Sequence, residues 1–341
     1  MIKMLNLITL EHGSGGKKMQ SLIHELFLRH FDNEQLNSQE DQARIPFDTL
    51  IAQGDRLAFT TDSFVIDPIF FPGGNIGKLA VCGTVNDLAV GGAIPKYLSV
   101  GFILEEGLPI QDLEQIVIAM AQTAKEAGVT IVTGDTKVVA KGACDKIFIN
   151  TSGIGVIPKP LQIGARQIKA GDKIIVNGTL GDHAVAILQA RNELALSGSI
   201  KSDCAPLNLL TQPLLAQPGV HAMRDATRGG VAAVCNEIAD MTKLGMLIKE
   251  TALPLHPEVT AVSEILGLDP LLMANEGKAV IFVESAEADA LLAHLRTLPY
   301  SDNAAIIGEV VDSVEGVFIE SLYGARKKLL MPTGEQLPRI C

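Results

Sequence analysis

The 341 residues include no tryptophan and only three tyrosines. No basic stripe is interleaved with aromatic residues, and the net charge is -11. A chain of that sign repels phosphate backbones and lacks the stacking platform that single strands use, so nucleic-acid binding is excluded. The five cysteines, Cys82, Cys144, Cys204, Cys235 and Cys341, form no CxxC pair, which argues against a structural zinc site and a disulfide framework. Charges or glycines interrupt every apolar run before it reaches membrane-spanning length, and the N-terminus lacks a signal-peptide layout, so a cytoplasmic protein without membrane contact is expected. Neither GNIGKL nor NEGKAV has the upstream glycine spacing, or the Ser/Thr after lysine, of a Walker A loop. No GxGxxG is followed by a ribose-binding acid.

What is present is 47% hydrophobic residues and 32 glycines, a composition for tight turns and small-residue packing. This length exceeds one ordinary core and predicts two α/β or α+β domains. The apolar spacing of Met19, Leu22, Ile23, Leu26 and Phe27 predicts a helix from near Lys17. LAFTTDSFVI and YLSVGFIL read as strands, IGKLAVCGTVNDLAV as a helix of small residues, and DLEQIVIAMAQTAKEAG as an amphipathic helix closing at Gly128. VTIVTGDT reads as a buried strand followed by an acid. The prolines of IPKPLQIGARQIKAGD mark a boundary, dividing the chain into 1–157, 158–327 and a flexible tail, 328–341. The second part again alternates strands and helices, from KIIVNG and GDHAVAILQARNELAL through GGVAAVCNEIADM and KAVIFVE to AEADALLAHLRTL.

Asp87 is the only charged residue between Lys78 and Lys96. It is either a satisfied or solvent-facing aspartate or a carboxylate aimed at a cation. Asp62 in TTDSF, Asp135 in TGDTK and Asp225 in MRDATRGG repeat the theme, the last two at strand ends where α/β proteins collect ligands. Four acids suit magnesium held together with nucleotide phosphate. The segment HGSGGKK, with Gly13, Gly15, Gly16 and Lys17, is either an anion cradle before a helix or a plain glycine turn. Lys137 and Glu276 stand in apolar surroundings, where burial tunes a proton carrier or an ion pair forms. The histidines read as packing or surface residues, with His12 beside the glycine loop the one of interest. Four cysteines read as buried small residues. Cys341 closes the sequence after GEQLPRI, where a thiol is exposed and oxidisable unless something uses it. It is not placed for prenylation, which needs the cysteine fourth from the end.

The segments TDSFVIDPIFFPGGNIGKLAVCGTVNDLAVGGAIPKYLS, VTGDTKVV, NTSGIG, GDHAVAIL, MRDATRGGVA, ANEGK and GEQLPRIC together resemble the HypE family of hydrogenase maturation factors, the carbamoyl dehydratases. The resemblance runs from His12 to Cys341. Its acidic and glycine motifs are shared with aminoimidazole ribonucleotide synthetase, selenophosphate synthetase and thiamine-monophosphate kinase, and only the PRIC ending singles out this branch. Ala226 stands where proline is usual. The resemblance implies an N-terminal αβ domain that forms a homodimer through a β-barrel-like interface, a layered C-terminal α/β domain, and ATP between them. It implies Mg2+ on Asp62, Asp87, Asp225 and, more weakly, Asp135, with Asn86, Thr136 and Thr227 joining the glycine loop on the nucleotide. It further implies that the carbamoyltransferase HypF loads Cys341 with a carbamoyl group, and that ATP-driven dehydration, with Glu276 and Lys137 as proton carriers, gives a thiocyanate. The cyanide would pass to iron on a HypC–HypD scaffold for a [NiFe] hydrogenase. The 13 residues after Lys328 reach at most about 45 Å, and the terminal carboxylate would raise the thiol pKa above about 8.5. A related synthetase or kinase acting on a free small molecule explains the acids equally well but leaves the tail idle, and a scaffold without chemistry would show no ATP turnover.

Overall fold

The computed structural model describes residues 7–191, 200–334 and 337–341. The first half is built on a four-stranded sheet of β1 (Arg56–Phe64), β4 (Ile94–Glu105), β5 (Thr130–Val139) and β6 (Ile147–Ile157), in the order β1-β6-β4-β5. A short hairpin, β2 (Phe70–Phe71) and β3 (Gly74–Asn75), precedes the helix that starts at Ile76. β1 and β4 each pair antiparallel with β6. β4 and β5 are parallel, which requires a crossover, and helix α3 (Ile110–Ala127) supplies it, closing at left-handed Gly128.

Helix α2 (Ile76–Val90) starts where the Asn75 side chain accepts hydrogen bonds from the amides of Gly77 and Lys78. Almost all its residues are buried, as expected of a helix apolar on every side. Small residues make this possible: a Cβ at Gly77 would lie 2.4 Å from the Ile116 carbonyl oxygen on α3. Strand alternation in β1 turns Thr60, Asp62 and Phe64 toward α2, leaving Leu57 and Phe59 on the outer face, 53% and 72% exposed. The N-terminal helix, α1 (Lys17–Leu22), continues into a π-helical stretch, Ile23–Leu28, which the apolar spacing does not distinguish.

The second half contains a seven-stranded sheet in the order β13-β12-β9-β11-β7-β10-β8. These strands are β7 (Lys173–Val176), β8 (Val220–Asp225), β9 (Gly245–Lys249), β10 (Ala279–Val283), β11 (Ala305–Val311), β12 (Val317–Glu320) and β13 (Arg326–Lys328). Helices α5 (Asn208–Leu215), α6 (Gly230–Thr242) and α8 (Ala288–Leu295) cover it, while α4 (Asp182–Ala190) and α7 (Pro257–Leu266) pack into the core of the first half. The period of two sorts its side chains. Val280 and Phe282 pack with Val231 and Ile238 of α6, while Ile281 and Val283 pack with Leu210 of α5 and Leu291 of α8. The result is a helix–sheet–helix sandwich.

Two expectations are corrected. β5 does not end before Asp135 but runs through it to Val139, because its parallel pairing with β4 continues to Glu105. Cys144 is half-buried in a loop rather than buried, unlike Cys82, Cys204 and Cys235. The end of the tail lies against the body, with Ile340 and Cys341 on the first core. Part of the helix expected in GDHAVAILQARNELAL falls outside the described residues. Among the described residues no helix is long and apolar enough to cross a membrane.

Candidate functional site

α2 is the shared wall of both halves. Its Asn86 side chain donates to the carbonyls of Ala205 (3.1 Å) and Glu276 (3.3 Å) and accepts from the Leu207 amide (2.7 Å). That buried bridge ties α2 to the second half and occupies both amide protons. One turn face away, Asp87 Oδ2 accepts from the Thr60 hydroxyl of β1 at 2.8 Å. Asp62 lies two residues along the same strand face and accepts from the Ser63 amide at 2.7 Å. Asp225 ends β8, across the junction.

These three carboxylates share one electrostatic neighbourhood. Burial raises the pKa of Asp62, and burial followed by the charge of Asp62 raises that of Asp87, opposed by the Thr60 hydrogen bond. Asp225 is pushed up to about 7, first by burial and then by Asp87. Asp87 and Asp225 line a cavity of about 460 Å³ with Thr60, Arg224 and Ile163. Arg224 faces Asp87, and Arg228 faces Asp62. Among the described residues no three acidic, histidine or cysteine side chains form a preassembled metal cage. A set of hard oxygen donors that repel one another and are incomplete alone fits magnesium, which uses one or two carboxylates and completes its shell with water and phosphate oxygens.

Glu276 is 3% exposed, and its Oε1 has no hydrogen-bond partner among the described residues. Burial first, then Cys204, Asp203, Asp225 and Asp62, hold its pKa well above the carboxylate range. The loop that carries it is organised by Asp203, which accepts from the amides of Glu276 (3.1 Å) and Gly277 (3.0 Å) and from Lys278 Nζ (2.9 Å). Gly277 has to be glycine, since a Cβ there would lie 2.0 Å from the Asp203 carbonyl oxygen. Asp203 was missed in the sequence because SDC carries no recognisable pattern. Arg224 and Arg228 were visible in MRDATRGG and passed over. Thr227 sits half-buried in the turn between Asp225 and α6, its carbonyl accepting from Gly230.

The other predicted residues gather at the opposite edge of the first sheet, three strands from β1. Gly13 packs on β5, where a Cβ would meet Val138 at 2.9 Å, and Gly15 has φ +77°. Gly16 caps α1, and Lys17 is its first residue. Lys18 pairs with Glu11, and the His12 Nδ1 receives the Thr9 amide. Asp135 and Lys137 lie exposed on the outer sheet face, joined at 2.6 Å, and the ammonium holds the Asp135 pKa down. Of the two readings of Lys137, the structure shows the ion pair. Thr136, on the alternate face, is buried. One chain thus brings together Asp62, Asp87, Asp225 and Glu276, but not the Gly13–Lys17 loop, Asp135 or Lys137.

The last residues run antiparallel to 65–67. The Val65 amide donates to the Cys341 carbonyl and the Asp67 amide to the Arg339 carbonyl, both at 3.2 Å. Arg339 reaches the Val65 carbonyl (2.9 Å) and Asp145 (2.5 Å). Ile340 is buried and Cys341 half-buried against the first core.

Residues 39–157 match the family described as AIR synthase related protein, N-terminal domain, and residues 169–320 match its C-terminal domain. Carbamoyl dehydratase HypE of Escherichia coli (strain K12) is 57% identical over 337 residues, covering 99% of this chain and all of that protein. The crystal structure of the hydrogenase maturation protein HypE in complex with ATP superposes with a TM-score of 0.92 at 46% identity, covering 97% of this chain and 99% of that one. A crystal structure of a HypE–HypF complex matches with a TM-score of 0.79 at 47% identity over 92% of this chain and all of that one.

Proposed function

This chain belongs to the carbamoyl dehydratase HypE family of AIR synthase-related proteins, and on that premise we propose that it dehydrates a carbamoyl group carried on the Cys341 thiol, using ATP. The observation that carries the reading is the placement of the tail. The last residue of a segment with no catalytic acid of its own is held against the body that bears Asp62, Asp87, Asp225 and the buried Glu276. A synthetase acting on a free small molecule has no use for that arrangement.

Converting an S-carboxamide to a thiocyanate expels one oxygen and two protons. Oxide and hydroxide leave poorly, so the oxygen is transferred to the γ-phosphoryl group of ATP and leaves as phosphate, with ADP as the other product. Mg2+ held by Asp62, Asp87 and Asp225 would offset charge on the phosphates. Asp135, already neutralised by Lys137 on the far face, is not in that set within one chain. Burial raises the proton affinity of Glu276, so its ionised form would be a strong base toward the amide nitrogen, and its unpartnered Oε1 leaves an acceptor for the proton.

The Gly13–Lys17 loop, Thr136 and Lys137 join the reaction through a second copy. The outer face of the first sheet exposes Leu57, Phe59 and Ile103, an apolar surface suited to pairing two sheets face to face. Such a homodimer would bring the β5 edge of one copy toward the β1 edge of its partner. We assign residues 1–157 to this pairing unit, 158–327 to the second domain and 328–341 to the substrate-carrying tail, with HypF as carbamoyl donor, a HypC–HypD scaffold as cyanide acceptor and the cytoplasm as the setting.

The experiment is single-turnover dehydration of protein loaded on Cys341. Loss of water that requires ATP supports the reading, and turnover of free carbamoyl compounds by a Cys341→Ala variant contradicts it.

A further inference from the structure

His183, on α4, is fully buried at the end of a hydrogen-bond chain that leads to the tail. Its Nε2 lies 2.7 Å from the Ile340 carbonyl oxygen, and its Nδ1 lies 2.7 Å from the Ser202 hydroxyl. A carbonyl only accepts, so Nε2 carries the proton. In the neutral ring Nδ1 then accepts, and the Ser202 hydroxyl donates to it. Ser202 in turn accepts from the Cys204 amide at 3.1 Å. Between those two residues stands Asp203, whose carboxylate holds the Glu276 loop through two amides. The ring is fixed edge-on against Phe71, with centroids 5.5 Å apart at 89°, and burial lowers its pKa, keeping it neutral.

Arg191, just past the same helix, donates from Nη2 to the carbonyls of Pro338 (2.6 Å) and Arg339 (3.0 Å) and from Nε to that of Asp67 (2.9 Å). The contacts to Pro338, Arg339 and Ile340 all read tail backbone, while the Asp67 contact anchors Arg191 to the body, so the terminal thiol is placed by register whatever the side chains. The docked segment is not a relaxed one: Arg339 has φ +52°, a left-handed conformation that residues with a Cβ avoid. A segment held in a disfavoured conformation by a few carbonyl contacts is suited to leaving when those contacts break.

We infer that His183 and Arg191 form a latch that docks the tail by its backbone carbonyls, and that His183 is a positioning residue linking the docked tail to the Glu276 loop through Ser202 and Cys204. This rests on the proposed function only for the purpose of docking; the docking is tested without the reaction. The amides of Val65 and Asp67 donate to the tail, so hydrogen exchange at these two positions, in full-length protein without nucleotide or donor, reports release. In His183→Gln the side-chain amide can occupy the Nε2 position and keep the donor to Ile340, whereas Asn is too short to reach. Exchange should rise about tenfold in His183→Asn and in Arg191→Gln, the order of one lost buried hydrogen bond, with the amides of β1 unchanged, and His183→Gln should stay within about twofold of wild type. Single-turnover dehydration of loaded protein should fall in the same order, with Gln restoring what Asn loses. Unchanged exchange in both His183→Asn and Arg191→Gln overturns the latch, as does a Gln variant as open as the Asn variant. Faster exchange with unchanged dehydration overturns the positioning role. The expected exchange pattern in a wild type that dehydrates nothing supports the latch and overturns the functional reading instead.

Discussion

The Thr60 hydroxyl donates to Asp87 across 2.8 Å, joining the middle of β1 to the last turn of α2. The bond stabilises the ionised form of a carboxylate that burial and Asp62 push toward protonation. Thr60→Val should therefore weaken apparent Mg2+ affinity about tenfold, the scale of a hydrogen bond to a charged group. Asp87→Asn should abolish magnesium-dependent ATP hydrolysis in protein that remains folded. Magnesium titrations of ATPase rate check both, and normal turnover in Asp87→Asn removes Asp87 from the site.

Asp225 gives a pH signature. Burial raises its pKa to about 7 in the folded protein, against 3.8 for an ordinary aspartate, so between those values the folded protein holds a proton that the unfolded chain releases. The stabilisation from this group is complete below pH 3.8 and lost as pH rises through 7. Without divalent cation, wild type should lose stability relative to Asp225→Asn as pH rises from about 4 to about 7, levelling off above that, and Mg2+ should recover part of that loss at the higher pH. Urea midpoints measured side by side decide, and parallel profiles would show that Asp225 is ordinary.

Asn86 is assigned to the domain junction. Asn86→Ala leaves the Leu207 amide and two carbonyls without their partner, and a cost of about 2–4 kcal/mol follows from stranding buried polar groups. Thermal unfolding should register it while nucleotide affinity changes little. Lost ATP binding with unchanged stability would return Asn86 to the nucleotide.

Phe59 is 72% exposed on the outer sheet face. Under the proposed pairing, placing a charge there, Phe59→Glu, should shift sedimentation from dimer to monomer and reduce ATP turnover together, because Lys137 and the glycine loop would then have no partner site to complete. A monomeric variant with full turnover would show that one chain suffices.

Much of this arrangement was legible in the sequence because it rests on local patterns. The small-residue helix with its single acid, the amphipathic helix closing at Gly128 and the alternating β1 run follow from spacing alone. What could not be read depends on which sheet face or edge a residue reaches. Asp135 and Lys137 belong to a motif like that of Asp225, yet they pair with each other across one strand on the outer face. Gly13 and Gly277 are glycine because β5 and Asp203 pass close by, contacts set by residues far away in sequence. The buried links Asp203 to Lys278 and His183 to Ile340 join segments 75 and 157 positions apart, and no local signal marks them.

The central claim is that Cys341 carries the substrate, and the mass of the C-terminal peptide tests it most directly. With carbamoyl donor present, the peptide from wild-type protein should gain one carbamoyl group, and only on addition of ATP should it lose one water. The peptide from Cys341→Ala should gain nothing, although that protein still folds and binds magnesium-ATP. A carbamoyl group on Cys82, Cys144, Cys204 or Cys235 instead, or loss of water from Cys341 without ATP, would contradict the account.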